Sequence, residues 1–348
     1  MQKRKLNIAV TGLNAIDSPG PGVAVIRALR EADSFDVRII GLSYESLEPG
    51  IYMHQLVDKT YHIPYPTTGT ETLLARLEYI HSKENLNVII PNFDAELYSF
   101  IKLSPKLKEM GINTFLPTIE QFKERQKINL PEFGKKYDIK TPDSIAIYTI
   151  NEINGLTSEF SYPLLVKGKY YDASIAYNAE QVKTYFNKIS AKWGLPIIIQ
   201  EFVNGTEYNT TGLGDGKGNT YASFPMRKQY ITDKGKAWGG ISIADKNLLE
   251  LTEKFIGSTK WRGVFELEFM KNQKNEFYLL EINPRIPAWI YLAVGVGQNI
   301  PEGLVNLAMG NKIKPFKEYK VGKMFIRYAY DMIVDISEFE RISTYGEL

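Results

Sequence analysis

Two carboxylates and an amide recur at strand spacing in the last third of the chain: Glu268 in "GVFELEFM", and Glu281 and Asn283 in "FYLLEINPR". Successive side chains of a strand point to opposite faces. In the first segment Phe265, Leu267 and Phe269 share one face, and Glu266 and Glu268 share the other. In the second, Tyr278, Leu280 and Ile282 share one face, and Leu279, Glu281 and Asn283 the other. The polar turn at Lys271 to Asn275 is short enough to pair the two as a hairpin. Glu268, Glu281 and Asn283 then converge on one side of a sheet. Clustered carboxylates repel unless positive charge lies between them. An all-oxygen set suits Mg2+ rather than zinc, and Mg2+ so held takes its remaining ligands from water and nucleotide phosphates. Arg285 lies just beyond, where its guanidinium would hold a phosphate oxygen. The plainer alternative is a solvated hairpin face with ordinary glutamates. The Glu-x-Asn-Pro-Arg ending favours the metal.

Phosphates also call for lysines. Lys167 ends the apolar strand "YPLLVKG", a costly place for an ammonium without an anionic partner. Lys127 lies in a charged helical stretch and on its own reads as a solvated lysine. In "IIIQEFVNGTEYN" a buried strand runs into Gln200 and Glu201, then the apolar pair Phe202 and Val203, a turn, and Glu207. Apolar faces and strand backbone suit an adenine ring, and a carboxylate suits ribose hydroxyls. A strand, a turn and a solvated glutamate would read the same way.

The elements that must carry these residues fall into two regimes. "LNIAVTG", "FDVRIIGLS", "QLVDKTYHIP", "LNVIIPN" and "GINTFLPT" read as strands separated by helical stretches with short connections. That alternation predicts a parallel sheet covered by helices, ending near residue 120. Beyond it the charged helical stretch "TIEQFKERQKINLPEFGKKYD" leads into hairpins: "YPLLVKGK", the long "LPIIIQEF…FPMRKQY" region and the carboxylate hairpin, with "GKMFIRYAYDMIVD" as a late strand. Strands there pair antiparallel with helices on one side, an α+β pattern.

Composition narrows the chemistry. The 348 residues are too many for one simple core. A net charge of +2 gives no reason for a nucleic-acid or membrane partner. With no cysteine, thiolate metal sites, disulfides and a cysteine nucleophile are excluded. His54, His62 and His81 do not fall at metal-ligand spacing and read as structural. The basic N-terminus has too short an apolar run for a signal peptide, and no window reaches the ~18 apolar residues of a membrane span. A cytoplasmic protein is expected.

The ordered set Lys127, Lys167, "QEFVNGTEY", "FELEFM" and "LLEINPR" resembles the ATP-grasp superfamily over roughly residues 90 to 310. It looks closest to the carbamoyl-phosphate-synthase-like and carboxylate–amine ligase members. The resemblance implies an α/β pre-ATP-grasp domain with a parallel sheet over 1–120, a small grasp lobe over 121–198, and a large lobe with a C-terminal strand over 199–348. It implies that Lys127 and Lys167 contact ATP phosphates, Glu201 and Val203 meet adenine through backbone, and Glu207 takes the ribose. Glu268, Glu281 and Asn283 would hold Mg2+ or Mn2+, and Arg285 would approach the transferred phosphate. Arg227 or Lys228 would add charge there. The implied activity is ADP-forming ligation of a small-molecule or peptide carboxylate to an amine or thiol through an acyl phosphate. A homodimer is compatible, since many members dimerise.

The chain departs from the family at "KGKYYDAS", where the glycine-rich phosphate loop has only Gly168 and Lys169 substitutes in part. It holds one grasp module, not two. "TDKGKAWGG" (232–240) is the expected lid, and "IPAWIYLAVGVGQNIPEG", with Trp289 and Tyr291, the expected acceptor region. Three other readings compete. A dinucleotide-linked oxidoreductase fits poorly, because Gly12 stands far from Gly20 and Gly22 and no acidic residue ends the second strand. A catalytically weak ATP-binding module acting through a partner is motivated by the altered loop. Carbamoyl-phosphate-type chemistry would need an ammonia source and a second grasp half.

Overall fold

The computed structural model describes residues 3–16, 18–158, 160–169, 172–232 and 235–348, the side chains of 156–158 excepted. The chain forms two compact units. The first comprises Met1–Phe122, Asn209–Glu266 and Asn283–Leu348, the second Lys123–Tyr208 and Leu267–Ile282.

The first unit opens with a parallel sheet of β1 (Arg4–Val10), β2 (Phe35–Ser43), β3 (Lys59–His62) and β4 (Val88–Ile90), in the order β3-β2-β1-β4. Ile8 of β1 lies opposite Ile39 on one side and Val88 on the other. Both faces are covered, which is why these strands read as near-continuous apolar runs. Ile8, Val10, Ile39 and Ile90 enter one core cluster, and Ala9, Ile40, Leu42 and Ile89 the other. The strand order turns back between β1 and β4, so a crevice is expected past Thr11 and Pro91. The loop after β1 returns so tightly that a Cβ on Gly22 would stand 2.3 Å from Thr11 O. Glu96, fully buried, ties the strand ends together. It accepts from Asn92 N at 2.7 Å, Phe93 N at 2.9 Å, Thr11 Oγ1 and Tyr44 OH. Burial pushes its pKa up against those bonds, which favour the charged form.

In the second unit β5 (Ser144–Ile147), β6 (Leu164–Gly168), β7 (Ala173–Ala176) and β8 (Ile197–Glu201) form an antiparallel sheet in the order β5-β8-β6-β7. Leu164, Val166, Ile197 and Ile199 pack with Val182, Phe186 and Ile189 of the Ala179–Trp193 helix. Asn178 caps that helix by accepting from Gln181 N at 2.9 Å. Lys167, next to Val166, is thereby turned to the opposite face.

A six-stranded sheet takes the order β13-β12-β9-β10-β11-β14. Its strands are β9 (Gly205–Asp215), β10 (Thr220–Ile231), β11 (Ala237–Ser242), β12 (Arg262–Asn272), β13 (Phe277–Asn283) and β14 (Met324–Ile326). The Lys246–Thr259 helix lays Phe255 against Trp261 and Phe265, ring centroids 5.0 and 5.1 Å away. Phe224 and Met226 belong instead to the core containing Trp289, whose ring meets Phe224 edge-on at 5.6 Å.

The expected fold class, a parallel-sheet domain followed by antiparallel sheets with helices, is the observed one. Three details differ. "GINTFLPT" contributes only an isolated bridge from Asn113 to Val88. The helical stretch holding Lys127 breaks into Ile119–Glu124, a 3-10 turn at Lys127–Asn129 and Leu130–Tyr137. Pro131 cannot continue a helix but suits the first turn of a new one. The late strand shortens to Met324–Ile326, which pairs antiparallel with β11. Among the described residues no helix is long and apolar enough to cross a membrane.

Candidate functional site

Lys167 is the centre of a charged cluster in the second unit. Lys167 is half-buried, and desolvation is the main cause that pushes its pKa down to about 8. Glu281 opposes the shift, the neighbouring Lys127 adds to it, and Glu268 and Glu207 oppose it. Lys127 Nζ lies 3.2 Å from Glu281 Oε1, both side chains largely buried. Glu281, Glu268 and Glu207 thus all act on the Lys167 ammonium. β6 supplies Lys167, β9 Glu207, β12 Glu268 and β13 Glu281; the broken helix lets Lys127 enter from a turn. Val203 is buried, and Glu201 ends β8 exposed, its N–H donating to Asp143 O at 2.8 Å. Tyr170 and Tyr171 of the loop after Lys167, and Asp233 and Lys234 of the expected lid, lie outside the described residues.

In the first unit Asn283 meets a different partner. Its Nδ2 donates to Glu266 Oε2 at 3.3 Å, and both side chains are buried. Glu266 Oε1 accepts from Trp289 Nε1 at 2.6 Å and from Asn209 Nδ2 at 2.9 Å. With both oxygens engaged, Glu266 is held firmly, and it fixes the Asn283 amide so that its carbonyl oxygen turns away. Arg285 Nε donates to Asp94 Oδ2 at 2.8 Å, Nη1 donates to Ile286 O at 3.3 Å, and Nη1 stands 3.9 Å from Glu266 Oε2. Asp94 opens the Asp94–Glu109 helix, so the guanidinium is oriented from the parallel-sheet end of the unit.

Arg227 and Lys228 face opposite ways. Lys228 pairs with Gly240, and Gly240 with Phe325. A Cβ on Gly240 would meet Met226 Sδ at 2.5 Å and the Phe325 ring at 2.8 Å, so Met226, Lys228 and Phe325 share a face. Arg227 lies on the other face, exposed, opposite Ile241. Lys228 Nζ donates to Gly235 O at 3.3 Å.

Glu266 is the residue that sequence reasoning passes over. Its alternation with Glu268 was visible, but its partners Asn209 and Trp289 are distant in the chain. The burial alternation of β13 also breaks at Glu281, after which Ile282 and Asn283 are both buried.

The donor set suits a hard cation. Within the second unit Glu268 and Glu281 offer carboxylate oxygens of the kind that Mg2+ takes. Among the described residues no group of three or more His, Cys, Asp or Glu forms a metal site, so the two carboxylates would need further ligands to hold a cation.

Residues 195–326 match the family model described as "ATP-grasp in the biosynthetic pathway with Ter operon". The carbamoyl phosphate synthase large chain of Clostridium botulinum (strain Alaska E43 / Type E3) is 24% identical over 250 residues, which are 67% of this chain and 23% of that protein. The chain therefore spans under a quarter of that relative's length. Among solved structures, the biotin carboxylase domain dimer of the Hydrogenobacter thermophilus 2-oxoglutarate carboxylase, in complex with MgADP, ADP and bicarbonate, superposes with a TM-score of 0.70 at 18% identity. That match covers 93% of this chain and 74% of that one. The biotin carboxylase–β-γ-ATP complex from Campylobacter jejuni gives 0.72 at 14% identity, covering 91% and 74%. The resemblance to the ATP-grasp superfamily, of carbamoyl-phosphate-synthase-like type, holds in sequence and in fold.

Proposed function

We propose that this ATP-grasp protein is an ADP-forming ligase that joins a carboxylate to an amine or thiol. One observation carries the reading: a shielded lysine, Lys167, held among Glu281, Lys127, Glu268 and Glu207 on four different elements. Desolvating an ammonium is costly, and a chain keeps one there when a polyanion is to be bound. The MgADP in the Hydrogenobacter structure supports a nucleotide and Mg2+.

In this reading Lys127 and Lys167 bind the phosphates. Glu201 and Val203 take adenine through backbone, and Glu207 takes the ribose. Glu268, Glu281 and Asn283 would hold Mg2+ or Mn2+, which neutralises phosphate charge when bound. Arg285, aimed by Asp94, neutralises charge on the transferred group. Lys228 is the better of the two candidates for added charge, because Arg227 faces the other side of the sheet. A carboxylate oxygen attacks the γ-phosphorus and the bond to ADP breaks. The amine nitrogen or thiol sulfur then attacks the acyl carbon, inorganic phosphate leaves, and the nucleophile's proton passes to solvent. Such a reaction needs positioning and charge neutralisation rather than a protein nucleophile.

The three-part division at 120 and 198, a cytoplasmic location, small-molecule or peptide substrates and a homodimer belong to the same proposal. The carbamoyl phosphate synthase relative favours one second reading, carbamoyl-phosphate-type chemistry, which ammonia and bicarbonate as sole co-substrates would reveal. The ligase reading is tested with carboxylates labelled with oxygen-18. Transfer of label into the released phosphate is expected; unlabelled phosphate alongside product contradicts an acyl phosphate.

A further inference from the structure

The C-terminal segment brings one more guanidinium to the face that bears Glu266. Past β14, Arg327 N donates to Trp238 O at 3.0 Å, which continues the pairing of β14 with β11. Phe325 packs on the core with Met226 and Trp289, and Arg327, two residues on in extended chain, points the same way. Arg327 is partly buried, and its Nη1 donates to Ser18 Oγ in the loop after β1. Glu266 is close enough to act on its charge.

The arrangement is unbalanced. A guanidinium has five N–H donors in a planar fork, and among the described residues Ser18 Oγ is the side-chain acceptor Arg327 meets. Glu266 does not pair with it directly, since its oxygens are taken by Trp289, Asn209 and Asn283. Among the described residues no carboxylate contacts this partly desolvated cation, an arrangement that favours binding an anion. The fork matches a carboxylate, bidentate.

We infer that Arg327, with Ser18, is the subsite for a carboxylate of the substrate that does not itself react. This rests on the ligase reading and narrows its substrates to α-amino acids or dicarboxylates, as against simple amines paired with monocarboxylates. Arg285, on the Asp94 side of Glu266, serves the reacting group; Arg327 holds the spectator group and sets the substrate's orientation.

The test is calorimetric titration of the full chain, with Mg-ADP present, using free α-amino acids, their amides, glutarate and inorganic phosphate. At least one carboxylate compound binds, and the amides bind at least tenfold more weakly. Arg327→Leu weakens the carboxylate compounds at least tenfold, Arg327→Lys falls between, and affinity for Mg-ADP is unchanged. Amino acids binding alone identify the acceptor as the source, and glutarate binding alone identifies the donor. The inference is overturned if no carboxylate compound binds, if Arg327→Leu binds them as tightly as wild type, or if phosphate binds more tightly than all of them and is lost in Arg327→Leu. Should Arg327→Leu fail to fold, Ser18→Ala takes its place, with about threefold weakening expected and none overturning the assignment. Carboxylate binding without added nucleotide, together with failure of Mg-ADP to bind at all, would sink the ligase reading and leave the subsite standing.

Discussion

Lys127 Nζ stands 3.2 Å from Glu281 Oε1, and Glu281 is also the leading carboxylate acting on Lys167. One glutamate therefore faces both ammoniums. In the proposed ligase it would turn from one of these ammoniums to a metal ion when nucleotide binds. The consequences are measurable.

Lys167 is a cost to folding at neutral pH. Its ammonium is disfavoured in the folded state, where its pKa is about 8, relative to the unfolded chain, which keeps the ordinary lysine value of 10.5. Between these values the unfolded chain binds more protons, so stability rises with pH across that window. The penalty is fully present below pH 8 and relieved towards pH 10.5. Lys167→Met should raise Tm by a few degrees at pH 7 and by less at pH 10. Turnover in the same variant should fall by about 100-fold. Scanning calorimetry at the two pH values checks the first claim.

The same residue predicts how nucleotide binding depends on pH. If the charged ammonium is the form that binds phosphate, the Kd for Mg-ADP should rise roughly tenfold between pH 7 and pH 9. The profile of Lys167→Met should be flat over that range. Titrations at four pH values decide it, and a flat wild-type profile would remove Lys167 from phosphate binding.

Glu266 acts as a structural anchor in this account. Glu266→Ala leaves the Trp289, Asn209 and Asn283 donors without their acceptor and is expected to cost about 3–5 kcal/mol. Glu266→Gln keeps the shape and should cost about 1–3 kcal/mol. Denaturant unfolding gives both values, and equal stability of Glu266→Ala and wild type would contradict the hydrogen-bond geometry.

Asp94 positions Arg285. The pair at 2.8 Å is only partly buried, so Asp94→Ala should change stability by no more than about 1 kcal/mol. It should nevertheless lower kcat about tenfold with the Kd for Mg-ADP unchanged. A loss confined to nucleotide affinity would assign Arg285 to the ground-state nucleotide.

The fold was legible because strand and helix periods differ. The buried parallel strands "LNIAV" and "VII" announce themselves as apolar runs, and Lys167 stands out as a cation ending such a run. Lys127 was harder. In sequence it is one lysine among several on a charged helical stretch, and only the break at Pro131 shows why it sits in a turn. The split between Glu281, which faces lysines, and Asn283, which meets Glu266, was not readable. Strict alternation puts both on one face, whereas the burial pattern of β13 breaks between them. The Glu266 anchor was hidden because its partners come from strands and turns that lie next to it only after folding. Arg327 gave no signal at all; it reads as one more residue of a late strand until β14 is seen pairing with β11.

The most direct test of the central claim is ADP and phosphate release from Mg-ATP, measured against pools of carboxylates and amines for wild type and Glu281→Ala. The account predicts release that requires both a carboxylate and an amine or thiol, and a loss of at least 100-fold in Glu281→Ala while the protein stays folded. Release that ignores the added substrates, or that survives in Glu281→Ala, would contradict it.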